Sequence, residues 1–145
     1  MPSSTFEHSV HIDASPADVW DGLQSPQIWS SLGPVQEVWD PVIEDGVLTG
    51  FQWSTQVGSA SYDGTGTATI QDRPDRYQLI LDTSEITGTI TVDLSATNPG
   101  GTDVDVTVEF RSKGFLSSMF FPMVSKAIGD GLPEQIEEMA AQLGA

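Results

Sequence analysis

Along most of this chain apolar and polar residues alternate one for one, and only near the end does the rhythm slow to every third or fourth position. Residues 5–13 begin the alternation, with Phe6, His8, Val10 and Ile12 on one face and Glu7, Ser9, His11 and Asp13 on the other. Period two is the pattern of a half-buried strand. Ser15-Pro16-Ala17-Asp18 then combines an N-cap serine, a proline at the first helical position and an acid at the third. Val19, Trp20 and Leu23 form the apolar side of the helix so predicted. Ser25-Pro26-Gln27-Ile28 repeats that grammar, with Trp29 and Leu32 apolar, so two short consecutive helices are expected. Turn signals at Asp45-Gly46, Arg73-Pro74-Asp75 and Asn98-Pro99-Gly100-Gly101 then divide the chain into strands near 35–43, 47–55, 59–71, 76–83, 86–97 and 102–112.

The slower rhythm fills residues 115–143. Val124, Ile128, Leu132, Ile136, Met139 and Leu143 make one helical stripe, and Lys126, Asp130, Glu134, Glu137, Glu138 and Gln142 lie opposite. Two prolines at about 3 kcal/mol each and two glycines at about 1 each oppose a straight helix by roughly 8 kcal/mol. Residues 114–121 are therefore expected to form a separate turn or short helix, with Pro122 opening the main helix and Pro133 kinking or restarting it ahead of Glu134. The architecture predicted is α+β: one long helix laid on a curved antiparallel sheet of about seven strands, as a single domain over residues 1–145.

Charge and composition narrow the partners. The 21 acidic against 5 basic residues give a formal charge of −16, which repels nucleic-acid phosphates and anionic headgroups. The longest apolar run, residues 119–124, is far shorter than the about 20 residues that span a bilayer. With no basic and apolar leader at the start, a cytoplasmic protein is expected, without stable membrane insertion, as a monomer or homodimer. The chain has no cysteine, and His8 and His11 lie on opposite strand faces, so no metal and no cofactor is expected. Gly64-Thr65-Gly66 lies inside a strand pattern, where a nucleotide loop does not fit.

The inward strand faces hold the candidate site. Ala60, Tyr62, Gly64, Gly66, Ala68 and Ile70 share one parity, and Ile86, Gly88, Ile90, Val92 and Leu94 share another. Small residues at the centre of an inward face either leave space for a ligand or let the sheet bend. Phe51, Trp53, Tyr77, Leu79, Leu81, Val108 and Phe110 would form the wall of such a space, with Val10 beside them. Phe120, Met123, Val124 and Ala127 would form its lid. His8 is the polar candidate among apolar neighbours, either as a hydrogen-bonding or acid/base group or as a satisfied core histidine, and Tyr62 is its candidate companion. Glu37 and Asp40 flank Trp39 where a carboxylate would reach the cavity mouth, and Phe115, Met119, Phe120 and Phe121 form either an adaptable entrance or packing under the sheet edge.

Three segments carry a family resemblance: Val10-x-Ile12-x-Ala14-Ser15-Pro16-Ala17-x-Val19-Trp20, Gly101-Thr102-x-Val104, and Gly114-Phe115-Leu116 leading into the last helix. In that order they resemble the START-like or Bet v 1-like helix-grip superfamily (SRPBCC), and within it the polyketide cyclase/dehydrase and lipid-transport-like proteins. The resemblance implies a helix-grip fold with a hydrophobic cavity between sheet and terminal helix, and it carries no catalytic residue. Three functions stay open. The first is binding or transport of a small hydrophobic ligand (lipid, polyketide or aromatic) without catalysis. The second is a cyclase/dehydratase-type enzyme using His8 and Tyr62 as acid/base groups. The third is an acidic protein-interaction domain with a filled core.

Overall fold

Seven strands hydrogen-bond into one antiparallel sheet, and a 29-residue helix lies along its inner face. This computed structural model describes residues 3–30, 32–57, 59–97 and 99–144, apart from the side chains of residues 57 and 115–118. The strands are β1 (Ser3–Ile12), β2 (Glu37–Glu44), β3 (Val47–Val57), β4 (Ala60–Asp72), β5 (Arg76–Asp82), β6 (Ile86–Ala96) and β7 (Thr102–Ser112). Their order across the sheet is β1-β7-β6-β5-β4-β3-β2, a meander from β2 to β7 with β1 added outside β7. Each predicted strand is present to within a few residues. Asp45 and Gly46 both take positive φ, 52° and 79°, which makes the two-residue turn that joins Glu44 to Val47. Of the turn at residues 98–101, Asn98 lies outside the described residues.

Between β1 and β2 come α1 (Pro16–Leu23) and a 3-10 turn at Pro26–Trp29. Ser15 caps α1, its hydroxyl accepting from the Asp18 N–H at 3.2 Å. The expected second helix is only that four-residue turn, and Ser25 makes no side-chain cap. Packing explains the difference: Trp29 is drawn fully into the core, where its indole N–H donates to the Leu23 carbonyl at 3.0 Å. A longer helix would have to release that bond.

The last helix, α2 (Phe115–Leu143), runs through both Pro122 and Pro133. The expected break before Pro122 is therefore not made. Both prolines lie on the exposed side, where a carbonyl deprived of its helical partner finds water, while Phe121, Ile128, Leu132 and Ile136 are buried. Each large apolar side chain so buried is worth about 1.5–3 kcal/mol, enough to offset a proline. The helical stripe is as read: Ile128, Leu132, Ile136 and Met139 face inward, and the six polar positions opposite are exposed.

At one end of the sheet the core is aromatic. Trp20 meets the Tyr77 ring edge-on at 5.5 Å, and Trp29 stacks on it at 5.6 Å. The Tyr77 hydroxyl donates to the Leu48 carbonyl, and burial holds its phenol well above the ordinary range, so it remains a neutral donor. Gln24, buried beside them, accepts from the Leu48 N–H at 2.8 Å and donates to the Trp20 carbonyl at 2.9 Å. These bonds tie α1 to β3 and β5.

Candidate functional site

The opposite end is open. Between α2, the segment 33–36 and the last turn of β3 lies a cleft of about 360 Å³. Met123, Val124, Ala127 and Ile128 line it from the helix, Gly33, Pro34 and Gln36 from the segment, and Thr55 and Gln56 from β3. Gly33 adopts φ 61°, and its N–H donates to Gln135 Oε1 at 2.9 Å, which pins the segment to the C-terminal half of α2. Along β3, Phe51, Trp53 and Thr55 point inward, so the strand's buried face becomes polar where it leaves the core. Thr55 is only 3% exposed, whereas Met123, which also lines the cleft, is 57% exposed. The volume is at the small end of ordinary ligand sites, roughly 300–1,000 Å³.

Of the candidates read from the sequence, Met123, Val124 and Ala127 line this cleft. Tyr62 is half-buried on the inner face of β4, directly opposite Thr55 in the β3–β4 ladder. Phe120 is half-buried. Phe51, Trp53, Leu79 and Leu81 are at most 2% exposed within the packed core, as are Ile90, Val108 and Phe110, and Val10 is 8% exposed at its margin. Phe121 packs on Phe110 at 5.4 Å, and the Phe115 side chain lies outside the described residues.

The glycines do not hollow the sheet. A Cβ on Gly66 would lie 2.6 Å from the Phe51 ring, and one on Gly88 would lie 3.1 Å from the Glu109 carbonyl oxygen. One on Gly64 would overlap the Asp82 carbonyl. At these positions their small size admits neighbouring chain, which favours the bending alternative over open space for a ligand.

His8 lies on the inner face of β1, but its Nε2 is 3.1 Å from Glu137 Oε1 on the flank of α2, with 27% of the side chain exposed. Three strands stand between β1 and the Tyr62 strand, so the two candidate acid/base groups do not meet. Glu37 and Asp40 are exposed on the edge strand β2, where Asp40 takes φ 49° at a bulge. On the outer sheet face His11 binds Asp103 through Nδ1 at 3.0 Å and Asp13 through Nε2 at 3.1 Å, and these bonds, Asp103 first, raise its pKa above the ordinary value. Sequence reasoning missed Thr55, Gln36 and Gln56. The inward parity of Phe51 and Trp53 pointed to Thr55, but nothing in the pattern marks where the core ends.

A curved seven-stranded antiparallel sheet holding a long C-terminal helix, with a short helix after the first strand, is the helix-grip fold of the START-like and Bet v 1-like superfamily (SRPBCC). Within it the chain belongs to the family described as polyketide cyclase / dehydrase and lipid transport, whose model matches residues 3–144. A START superfamily protein from Mycobacterium smegmatis superposes at TM-score 0.68 with 12% identity, covering 96% of this chain and 98% of that one. A protein from Thermus thermophilus gives TM-score 0.70 at 12% identity over 97% of each chain. The ZhuI aromatase/cyclase from Streptomyces sp. R1128 gives 0.59 at 14% identity, over 98% of this chain and 87% of that one. At these identities the likeness establishes the fold. No curated protein matches the sequence. Among the described residues no helix is long and apolar enough to cross a membrane.

Proposed function

We propose that this protein binds or carries a small hydrophobic ligand in the cleft beneath the N-terminal half of α2. The observation that carries the reading is the 360 Å³ space faced by Met123, Val124, Ala127 and Ile128, four apolar side chains of one helix. Apolar surface left in contact with water is covered favourably by an apolar ligand. Met123, exposed, flexible and polarisable, adapts to more than one shape. The family description, which includes lipid transport, supports the same reading. Among the described lining residues there is no histidine, lysine or carboxylate, so the cleft supports binding in preference to acid/base catalysis.

The test is a titration with N-phenyl-1-naphthylamine, a neutral probe whose fluorescence rises in apolar surroundings. The parent protein is expected to enhance it, and Ala127→Trp, which fills the cleft from an exposed helix position, to weaken binding by about tenfold or more, or 1.4 kcal/mol. Ala127→Trp should melt within a few degrees of the parent. Absence of enhancement by the parent, or undiminished binding by the folded variant, would overturn the reading. Native mass spectrometry of protein purified from its own host would then give the mass of the natural ligand.

A further inference from the structure

Thr55 is the buried polar side chain among the described cleft residues. Two other buried threonines show how this fold ordinarily treats a hydroxyl. Thr83 donates to the Ile86 carbonyl at 3.0 Å, and Thr102 to the Ala14 carbonyl at 2.7 Å. Among the described residues no such bond engages the Thr55 hydroxyl, and it is not one of the fully enclosed unpartnered atoms. It therefore opens onto the cleft. A hydroxyl taken almost out of bulk water without a protein partner is costly, and a ligand oxygen placed against it removes that cost.

From this we infer that the cleft selects an uncharged ligand: a compact apolar body bearing a ketone or hydroxyl oxygen that Thr55 holds. The inference rests on the binding reading above. A hydroxyl serves either group, since it donates to a ketone and exchanges roles with an alcohol. Charge is disfavoured in both senses. A carboxylate would enter a protein of formal charge −16 and find no cation among the described lining residues. An ammonium would lose its hydration against Met123, Val124 and Ile128 with no carboxylate there to compensate. At the mouth, Gln36 Nε2 lies 3.5 Å from Gln56 Oε1, a long contact that leaves both amides able to take a second polar group. A volume of 360 Å³ suits one or two fused rings in preference to a long acyl chain.

Three naphthalenes of common shape test this on the full chain: 2-acetylnaphthalene, 2-ethylnaphthalene and 2-naphthoate, each titrated by calorimetry. The expected outcome is that Thr55→Val lowers the acetyl-to-ethyl affinity ratio about fivefold, the worth of one neutral hydrogen bond. Thr55→Ser, which keeps the hydroxyl, is expected to retain the parent ratio. The naphthoate should be weakest by about tenfold or more, because its charge would be buried unpaired. A ratio unchanged in a folded Thr55→Val protein, or naphthoate binding as tightly as the ketone, overturns the selectivity. If acetyl and ethyl compounds bind, are both displaced by Ala127→Trp and ignore Thr55, the binding reading stands and this inference falls. If none of the three binds the parent, both fall together.

Discussion

Under its C-terminal half α2 is sealed to the sheet, whereas beside its N-terminal half, where Phe121 still packs on Phe110, a cleft stays open. Near Ile28, Leu32 and Met139 only about 40 Å³ stays unfilled, against about 360 Å³ near Val124 and Ile128. The helix itself does not make this difference, because the same apolar stripe runs from Val124 to Leu143. What differs is the opposing surface. At the sealed end α1 and the 3-10 turn bring in Trp20 and Trp29, and α1 comes close enough that a Cβ on Gly22 would lie 2.5 Å from Leu143 Cδ2. At the open end the side chains opposing Val124 and Ile128 are those of Pro34 and Thr55, which leave the cleft unfilled, and Gly33 meets the helix only through its backbone bond to Gln135. A stripe of constant character thus gives a core where bulk opposes it and a cleft where bulk is missing.

The comparison is most severely tested at Ile136, which is fully buried in the sealed half. Ile136→Asp places an unpaired charge there and is expected to cost about 3–5 kcal/mol, read as a lowered denaturant midpoint. Glu137→Gln, one residue on and exposed, should change stability by no more than about 0.5 kcal/mol, its pair with His8 being a surface one. Equal losses would mean that the assigned face of α2 is wrong.

The two halves are compared directly by truncating one methionine in each. Met139→Ala, at 3% exposure, should cost about 2–5 kcal/mol. Met123→Ala, at 57% exposure, should cost less than about 0.5 kcal/mol while altering probe binding. Matching costs for the two would show the cleft closed in solution.

The smallest effect belongs to the outer sheet face, away from both halves. His11 has its pKa raised by Asp103 and then Asp13, so its stabilising contribution is fully present below about 6.5, the unfolded value, and fades as pH rises through the higher folded value. Melting curves of the parent and His11→Gln should accordingly draw together between about pH 6 and pH 8. A separation that widens with pH would reverse the sign of this assignment.

Much of the fold was legible because its elements answer to local rules. The period of two together with the turn signals placed the strands, the Ser15-Pro16 pair placed α1, and the stripe from Val124 to Leu143 assigned the face of α2. One reading was overturned and another shortened where tertiary contact outweighed local preference. Pro122 was expected to begin a helix and is carried inside one, since burial on the sheet offsets the lost hydrogen bond. Ser25-Pro26 was expected to start a short helix and starts the 3-10 helix Pro26–Trp29, kept to four residues without a serine side-chain cap because Trp29 is anchored to Leu23.

The candidate site was less legible, for a reason of volume. Alternation alone determined which residues of β3, β4 and β6 face inward, because a pleated strand permits only two sides. It did not determine what lies above them. Gly66 looks like a gap in the sequence and is filled by the Phe51 ring, a neighbour from another strand. Thr55 looks like an ordinary strand residue and stands at the cleft, because the segment 33–36, pinned by Gly33 to Gln135, leaves room in front of it. Facing is a property of the local backbone; space is a property of everything packed around it, and only the tertiary structure decided that.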